Sequence, residues 1–184
     1  MSGDTTELLA RIRPLLASRD APVYLVGGAV RDAILGRPAY DLDFVVEHEA
    51  IQLAFSVGDA LRVAAYVLDR ERDIGRVVLG PDVVLDFARF RGPDLEADLR
   101  ARDFTINAMA VDAANFPPRE LNVVIDPTGG LDDLQAGVVR LAYPQAIEDD
   151  PLRALRAVRL AWHLGFRVTP ETVDAARRGA HRIA

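Results

Sequence analysis

Two residue types, cysteine and lysine, are missing from this chain of 184 amino acids. Without cysteine there is no disulfide framework, no thiol nucleophile and no zinc site with cysteine ligands. All 22 basic residues are arginines, which excludes the lysine phosphate clamp of a P-loop and any Schiff-base mechanism. Whatever anions the protein binds must therefore contact arginine side chains and backbone amides.

Long apolar runs are also missing, since no stretch approaches the roughly 18 residues that a membrane span needs. The N-terminal sequence MSGDTTELLARIRPLL lacks the basic start, apolar core and small-residue cleavage site of a secretory signal. A composition of 50% hydrophobic and 27% charged residues is typical of a globular protein. We therefore expect a soluble, cytoplasmic protein that has no membrane partner.

The net charge of −6 is unevenly distributed along the chain. Residues 1–149 carry 15 Arg and 25 acidic residues, whereas residues 150–184 carry 7 Arg and 3 acidic residues. An acidic body with an electropositive helical end is compatible with a metal site beside an anion site, but it is a poor general surface for nucleic acid. If the protein acts on RNA, most of the RNA-binding surface is expected elsewhere.

The order of the predicted elements indicates a mixed α/β domain that leads into an all-helical segment. The segments 104–110 and 121–125 are predicted as a helix and a strand, and everything from Pro144 onward as helical. Gly80-Pro81-Asp82 predicts a hairpin turn. The other predicted helices span 6–17, 29–35, 48–62 and 95–101, and the other predicted strands span 23–26, 42–46, 64–68, 75–80 and 83–90.

Asp41 and Asp43 are candidate metal ligands, because alternate residues of a strand project to the same face. The intervening apolar residues Leu42, Phe44 and Val46 are expected to face the core. Two neighbouring carboxylates repel each other unless a cation lies between them. A set of oxygen ligands favours a hard, octahedral ion such as Mg²⁺. The alternative for a D-x-D pattern by itself is a solvated strand end.

A glycine pair precedes these carboxylates and connects a predicted strand to a predicted helix. Gly27 and Gly28 allow the backbone to approach an anion closely, and the free amides of a helix start point toward it. Arg31 adds a planar fork of donors for phosphate. By itself this turn is also consistent with a tight connection, but together with the aspartate pair it indicates a site for a nucleoside triphosphate and Mg²⁺.

Asp86 interrupts the apolar run Val83-Val84-Leu85 and Phe87. A buried charge is costly without a partner. One explanation is a bound cation that Asp86 shares with Asp41 and Asp43. The other is an ion pair with a nearby arginine, and the sequence leaves both open.

The segment from Arg102 to Ala110 offers acceptors and donors that suit the hydroxyl groups of a ribose. Asp103 and Asn107 are four residues apart and therefore share a face of the predicted helix. The alternative is that Asp103 caps the helix and Asn107 lies on the surface. The following segment Asp126-Pro127-Thr128-Gly129-Gly130-Leu131-Asp132-Asp133-Leu134 is predicted to be architectural.

The last motif places arginines three residues apart on a predicted helix that begins at Pro151. Spacing of three predicts a stripe that turns gradually around the helix axis. The stripe is formed by Arg153, Arg156 and Arg159, is expected opposite Leu152, Leu155 and Val158, and faces either water or an anion.

Together these motifs resemble those of the class II tRNA nucleotidyltransferases, the CCA-adding enzymes and bacterial poly(A) polymerases of the polymerase β-like superfamily. The resemblance covers residues 20–170 and keeps the family's motif order in LVGGAVRDAILGRPAYDLDFVV, RDFTINAMA, DPTGGLDDL and EDDPLRALRAVRLAWHLGF. It implies a catalytic head with a mixed sheet over 1–142 and the start of a helical neck over 143–184. It also implies that the family continues beyond this chain with the part that holds most of the tRNA.

The resemblance implies a role for each candidate residue in a two-metal transfer onto the 3′ end of tRNA. Asp150 and Arg153 would read the incoming base, because cytosine and adenine both present an amine beside an acceptor, whereas uracil and guanine present a carbonyl. The triphosphate would contact Gly27, Gly28 and Arg31. Catalysis would use Asp41, Asp43 and Asp86, with Mg²⁺ on Asp41 and Asp43. The ribose would contact Arg102, Asp103 and Asn107, and the base would contact Asp150, Arg153, Arg156 and Arg159.

The resemblance also implies the partners CTP, ATP and the tRNA 3′ end, and it leaves the oligomeric state open.

The sequence does not decide which product the enzyme makes. Only the residues from Gly92 to Ala101 separate Arg91 from Arg102. Family members that add C, C and then A are longer here, so the short segment resembles enzymes that add only CC, or a divergent subgroup. The alternatives are a poly(A) polymerase and a nucleotide-binding head without turnover of its own.

Overall fold

The computed structural model describes residues 5–39, 41–80 and 83–179, which divide into two compact units. Unit 1 comprises Met1–Leu95 and Ala110–Ile125, and unit 2 comprises Glu96–Met109 and Asp126–Ala184. Among the described residues, the structure contains no helix with the length and apolar character needed to cross a bilayer.

Unit 1 contains a mixed sheet with helices, which confirms the predicted fold class. In the described part of the chain the sheet has six strands in the order β3-β4-β5-β2-β1-β6. Strands β2 and β5 are parallel, and the other neighbouring pairs are antiparallel. The elements are α1 (Thr5–Ala17), β1 (Tyr24–Val26), α2 (Gly28–Ile34), β2 (Asp41–Val46), α3 (Ala50–Leu61), β3 (Ala64–Asp69), β4 (Ile74–Gly80), β5 (Val83–Arg89) and β6 (Ala110–Asp112).

One face of this sheet packs against α3. A methyl group added at Gly75 of β4 would lie 2.7 Å from the Cβ atom of Ala54, so α3 approaches the backbone closely here. On the neighbouring strand Phe87 pairs with Gly75, and its ring stacks on Phe44 with centroids 4.7 Å apart. As predicted, Leu42, Phe44 and Val46 are buried. These contacts fix the parallel register of β2 and β5, because a shift by one residue would turn the phenylalanines away from α3.

The helix predicted over 104–110 is wrong. Thr105–Asn107 is a single turn of 3₁₀ helix, and Ala110–Asp112 forms β6, which pairs with β1. Every residue from Phe104 to Val111 except Asn107 is buried, and a continuously buried segment shows no period that separates helix from strand. Long-range hydrogen bonds decide the outcome, since the Thr105 N–H donates to the Arg140 carbonyl.

The strand predicted over 121–125 is also wrong. Leu121–Val123 is a turn of 3₁₀ helix, and only Ile125 makes a bridge, to Ala110. The predicted hairpin is formed by β4 and β5, while Pro81 and Asp82 of its turn lie outside the described residues.

Unit 2 is mainly helical, with one short parallel pair of strands. The pair joins Val138–Val139 to Arg167–Val168, so the expectation that everything after Pro144 is helical fails at the second strand. A two-residue strand is too short to leave a recognisable pattern in the sequence. The elements are α4 (Leu95–Arg100), α5 (Gly130–Ala136), β7 (Val138–Val139), α6 (Ala146–Asp149), α7 (Leu152–Leu164), β8 (Arg167–Val168) and α8 (Pro170–Gly179).

The predicted arrangement of α7, with an arginine stripe opposite its larger apolar residues, is wrong. Arg153 is only 8% exposed, whereas Leu155 is 57% and Trp162 is 85% exposed. The buried face is formed instead by the small residues Ala154, Ala157 and Ala161, with Leu164. Residues three apart shift by about 60° per step, so Arg153 lies on the buried side while Arg156 and Arg159 reach the exposed side with Leu152 and Val158.

Candidate functional site

Asp41, Asp43 and Asp86 lie on the same face of the sheet in unit 1, which we call the carboxylate face. Asp43 is directly opposite Asp86 in the parallel pairing of β2 with β5, and Asp41 is two residues earlier on β2. This face is the reverse of the one that packs on α3, since Phe44 and Phe87 point the other way. Asp41 is exposed and the other two are half-buried. The structure therefore brings the three predicted carboxylates together.

Asp86 is held by Arg76 of β4, which is its partner in the antiparallel register. The Arg76 Nε and Nη2 atoms donate to the two carboxylate oxygens of Asp86, each at 2.7 Å. This ion pair raises the pKa of Arg76, mainly through the hydrogen bonds to Asp86, with a further contribution from the charges of Asp41 and Asp43. Of the two explanations left open for Asp86, the structure contains the ion pair.

The donor set on this face fits a divalent cation. Asp41 and Asp43 supply carboxylate oxygens, and Mg²⁺ is usually bound by one or two carboxylates together with waters and substrate phosphates. Among residues 5–39, 41–80 and 83–179, no three or more His, Cys, Asp or Glu side chains form a group that could hold a metal ion. The candidate centre is thus a two-carboxylate site that substrate oxygens would complete.

The glycine turn before α2 is conformationally specific. Gly27 has φ of 72° and ψ of −138°, a backbone conformation that residues with a side chain rarely adopt. Arg31 is 8% exposed, and its guanidinium donates to both carboxylate oxygens of Asp32 at 2.9 Å. A methyl group at Gly28 would lie 3.4 Å from Nη2 of Arg31, an ordinary van der Waals contact, so the guanidinium lies directly beside Gly28.

In unit 2, the predicted ribose residues make local contacts. The Arg102 Nε and Nη2 atoms donate to Asp98, a carboxylate that is 1% exposed, at 3.1 and 2.9 Å. Asp103 accepts from the Phe104 N–H at 2.8 Å and from the Asn107 amide at 3.2 Å. Asp103 and Asn107 therefore meet as predicted, although a 3₁₀ turn and not an α-helix brings them together.

The predicted base-recognition residues cluster where α6 ends and α7 begins. Asp150 accepts from the Leu152 N–H at 3.0 Å, and its other oxygen lies 3.6 Å from Arg156 and 4.0 Å from the Nε atom of Arg153. Arg159 is exposed, one turn further along α7. Asp150, Arg153 and Arg156 are thus brought together, and Arg159 lies apart from Asp150 on the same helix.

Arg153 has a partner that sequence reasoning missed. Its Nη1 atom donates to the Tyr143 hydroxyl at 2.8 Å, and that hydroxyl donates to Asp149 at 2.6 Å. The spacing of ten residues between Tyr143 and Arg153 gives no periodic signal, so only the fold reveals this contact. Arg76 was missed as well, although counting residues outward from the Gly80-Pro81-Asp82 turn would have paired Arg76 with Asp86.

The segment from Asp126 to Leu134 has a structural role in unit 2. The Asp126 carboxylate accepts from the N–H groups of Gly130 and Leu131 at the start of α5, at 2.8 and 2.9 Å. Asp133 accepts from the Thr105 hydroxyl at 2.7 Å and from Arg140 at 3.0 Å. The segment therefore ties α5 to the 3₁₀ turn that carries Asn107.

Comparison with known proteins identifies the family. The protein-family model described as "Poly A polymerase head domain" matches residues 23–94 and 89–140. A CC-adding tRNA nucleotidyltransferase of Synechocystis sp. is 46% identical over 161 residues, which are 86% of this chain and 37% of that protein. An A-adding tRNA nucleotidyltransferase of Deinococcus radiodurans is 40% identical over 92% of this chain and 37% of that protein.

Solved structures of tRNA nucleotidyltransferases are also similar to this chain. A Thermotoga maritima CCA-adding enzyme complexed with tRNA superposes with a TM-score of 0.77 at 32% identity, covering 98% of this chain and 46% of that one. A tRNA nucleotidyltransferase complexed with a primer tRNA and an incoming ATP analogue gives a TM-score of 0.75 at 33% identity, covering 95% and 50%. The chain thus spans less than half of the length of the curated relatives quoted. Because the family model covers more than half of the chain, as the motifs predicted, this protein belongs to the poly A polymerase head domain family.

Proposed function

We propose that this chain is the catalytic part of a template-independent nucleotidyltransferase that adds C from CTP to the 3′ end of tRNA. The observation that carries the proposal is the aspartate pair: Asp41 and Asp43 share the carboxylate face of a chain that is 46% identical to a CC-adding enzyme. The names of the relatives favour tRNA as the acceptor over the poly(A) polymerase alternative.

Asp41 and Asp43 would hold Mg²⁺, which when bound favours ionisation of the RNA 3′-hydroxyl and neutralises charge on the departing pyrophosphate. Gly27 and Gly28 would allow the triphosphate to approach the backbone, and Arg31 would donate to its oxygens. The 3′-oxygen forms a bond to the α-phosphorus while the bond between that phosphorus and the bridging oxygen breaks, and pyrophosphate leaves. Asp86, neutralised by Arg76, would shape the charge of the carboxylate face.

In unit 2, the residues that resemble the family's substrate-recognition motifs would bind the ribose and the base. Asp103 and Asn107 would accept from and donate to the ribose hydroxyls, and Arg102, fixed by Asp98, would support this turn. Asp150 would accept from the amine of cytosine or adenine, while Arg153 donates to the neighbouring ring nitrogen. Arg156 and Arg159 supply positive charge along the same helix.

We also propose that the product is CC without the final A. The connection from Arg91 to Arg102 is short, and the chain resembles CC-adding enzymes of Synechocystis sp., Geobacter sulfurreducens and Halalkalibacterium halodurans at 40–46% identity. Residues 1–142 would act as the head and 143–184 as the beginning of a helical neck. The family match, which reaches residue 140, supports this boundary.

The test is a transfer assay with labelled CTP or ATP and a tRNA that lacks its 3′-terminal CCA. We expect extension by two C in the presence of Mg²⁺, loss of extension in EDTA, and loss in Asp41→Ala. Asp69→Ala, which removes a half-buried carboxylate at the end of β3, is the matched control and should leave extension unchanged. CTP binding without extension would instead support a nucleotide-binding head without turnover, and long A tails would support a poly(A) polymerase.

A further inference from the structure

The Tyr143 hydroxyl group makes hydrogen bonds to two charged neighbours in unit 2. It donates to an oxygen of Asp149 at 2.6 Å and accepts from the Nη1 atom of Arg153 at 2.8 Å. Hydrogen bonds to ionised partners are shorter and stronger than those between neutral groups. The order Asp149, Tyr143, Arg153 is therefore a hydrogen-bonded chain, in which a carboxylate at one end orients the hydroxyl for a guanidinium at the other.

The Arg153 guanidinium is fixed from several sides. Its Nη1 atom also donates to the Ala146 carbonyl at 3.2 Å, its Nη2 atom donates to the Ala101 carbonyl at 3.4 Å, and its Cζ atom lies 5.6 Å from the centre of the Tyr143 ring. The side chain of Arg153 is 10% exposed. With both Nη atoms occupied by acceptors, rotation of the guanidinium plane would break these contacts.

The Nε–H group of Arg153 makes none of these hydrogen bonds. It is buried and has no hydrogen-bond partner among the described residues. The nearest carboxylate oxygen is that of Asp150 at 4.0 Å, which is beyond hydrogen-bond distance. An unsatisfied buried donor costs free energy, so a ligand acceptor placed here would be bound more favourably.

We propose that Tyr143 is a positioning residue for base selection: with Asp149 it fixes the plane of Arg153, so that Arg153 and Asp150 present one donor and one acceptor at a defined angle. The proposal rests on the proposed function, because it assigns a specificity role to that same site. Tyr143 acts through Arg153 and does not itself touch the nucleotide. Discrimination against UTP requires this angle, since uracil presents a carbonyl and a ring N–H group where cytosine presents an amine and a ring nitrogen that accepts.

The pKa of the Tyr143 hydroxyl agrees with this arrangement. Burial and the hydrogen bond to Asp149 raise the pKa above the ordinary value of a tyrosine, while Arg153 acts in the opposite direction. The hydroxyl is therefore protonated at neutral pH and can donate to Asp149 while it accepts from Arg153.

The experiment compares kcat/KM for CTP and for UTP in the wild type, Tyr143→Phe and Asp149→Asn. Tyr143→Phe keeps the ring beside Arg153 and removes only the hydroxyl, so we expect the CTP preference to fall about tenfold, mostly through a rise in activity with UTP. Asp149→Asn keeps an acceptor without its charge and should lower the preference by a smaller factor. Tyr66→Phe, at an exposed tyrosine on β3, is the matched control and should leave it unchanged.

The outcomes separate this proposal from the proposed function. If the wild type transfers no nucleotide, the proposed function fails and with it this role of Tyr143. If the wild type prefers CTP and Tyr143→Phe keeps the full preference, the proposed function stands and the positioning role is overturned. An equal loss of kcat/KM for both nucleotides, with a lowered Tm, would also overturn it, because a purely structural residue has that effect.

Discussion

Asp41 and Asp43 in unit 1 are oriented by the backbone of a strand, whereas Arg153 in unit 2 is oriented by hydrogen bonds to a side chain and to backbone carbonyls elsewhere in that unit. On the carboxylate face, the alternation of β2 and its register with β5 are sufficient to align the aspartates. At the start of α7, Arg153 depends on Tyr143 and on carbonyl groups from residues 7 and 52 positions away. Substitutions on the carboxylate face should therefore change chemistry without changing stability, whereas substitutions at the tightly packed positions of unit 2 should change stability.

The largest effect is expected from Asp43→Ala, which removes half of the candidate metal site. Transfer should fall about 10³-fold, because metal stabilisation of developing charge contributes several kcal/mol. Thermal unfolding monitored by circular dichroism should give a Tm within a degree or two of the wild type, as the side chain is half-buried on an open face. A large drop in Tm would mean that this face contributes to folding and would remove the contrast between the units.

In unit 2, Gly130→Ala should lower the free energy of unfolding by about 3 kcal/mol, since overpacking costs roughly that much against rigid neighbours. The new methyl group would lie 2.3 Å from the Thr105 carbonyl oxygen, a backbone atom that cannot move by itself. Gly129→Ala is the matched control: it has φ of 79° but open space around it, so it should cost only about 1 kcal/mol. Urea unfolding curves of the two variants check this, and equal losses would contradict it.

A smaller effect is expected from Arg76→Gln, which removes the positive charge beside Asp86, Asp41 and Asp43. The carboxylate face then becomes more negative and should bind a divalent cation about fivefold more tightly, which corresponds to about 1 kcal/mol. Titration with Mn²⁺ followed by electron paramagnetic resonance measures this directly. Arg72→Gln, an exposed arginine after β3, should leave the affinity unchanged, and weaker binding by Arg76→Gln would show that Arg76 holds the site together.

The smallest effect is expected from Trp162→Ala on α7. The tryptophan is 85% exposed, so its removal should change the free energy of unfolding by less than about 0.5 kcal/mol. Its neighbour Ala161 is 7% exposed, and Ala161→Leu should destabilise the protein by about 2 kcal/mol through overpacking. Chemical unfolding of both variants tests the observed orientation of α7, which the opposite ranking would overturn.

Much of unit 1 could be predicted from the sequence because its signals are local. The β2 aspartates follow from the two-residue period of a strand, and the turn before α2 follows from a glycine pair between a predicted strand and a predicted helix. The wrong predictions lie in segments whose structure depends on distant partners. β6 forms because Ala110–Asp112 finds β1, and the run from Phe104 to Val111 has no period that could reveal this.

Unit 2 was harder to predict because its important contacts join residues with no periodic relation. The predicted orientation of α7 was wrong because it assumed that the large apolar residues are buried. Alanines form the buried face instead, and Trp162 is exposed. No sequence motif marks Tyr143, although its hydroxyl lies 2.8 Å from Nη1 of Arg153, whereas the Asp150 carboxylate lies 4.0 Å from Nε.

The sequence by itself determined the family, the mixed α/β fold and the placement of Asp41 and Asp43 on one strand face. These follow from short-range periodicity and from motifs that keep their order. Only the tertiary structure decided that Asp86 is neutralised by Arg76, that Arg102 is paired with a buried Asp98, and that Tyr143 fixes Arg153. The reason is that hydrogen bonds between side chains depend on angles and distances to within an ångström, and these are fixed only once distant segments have packed together.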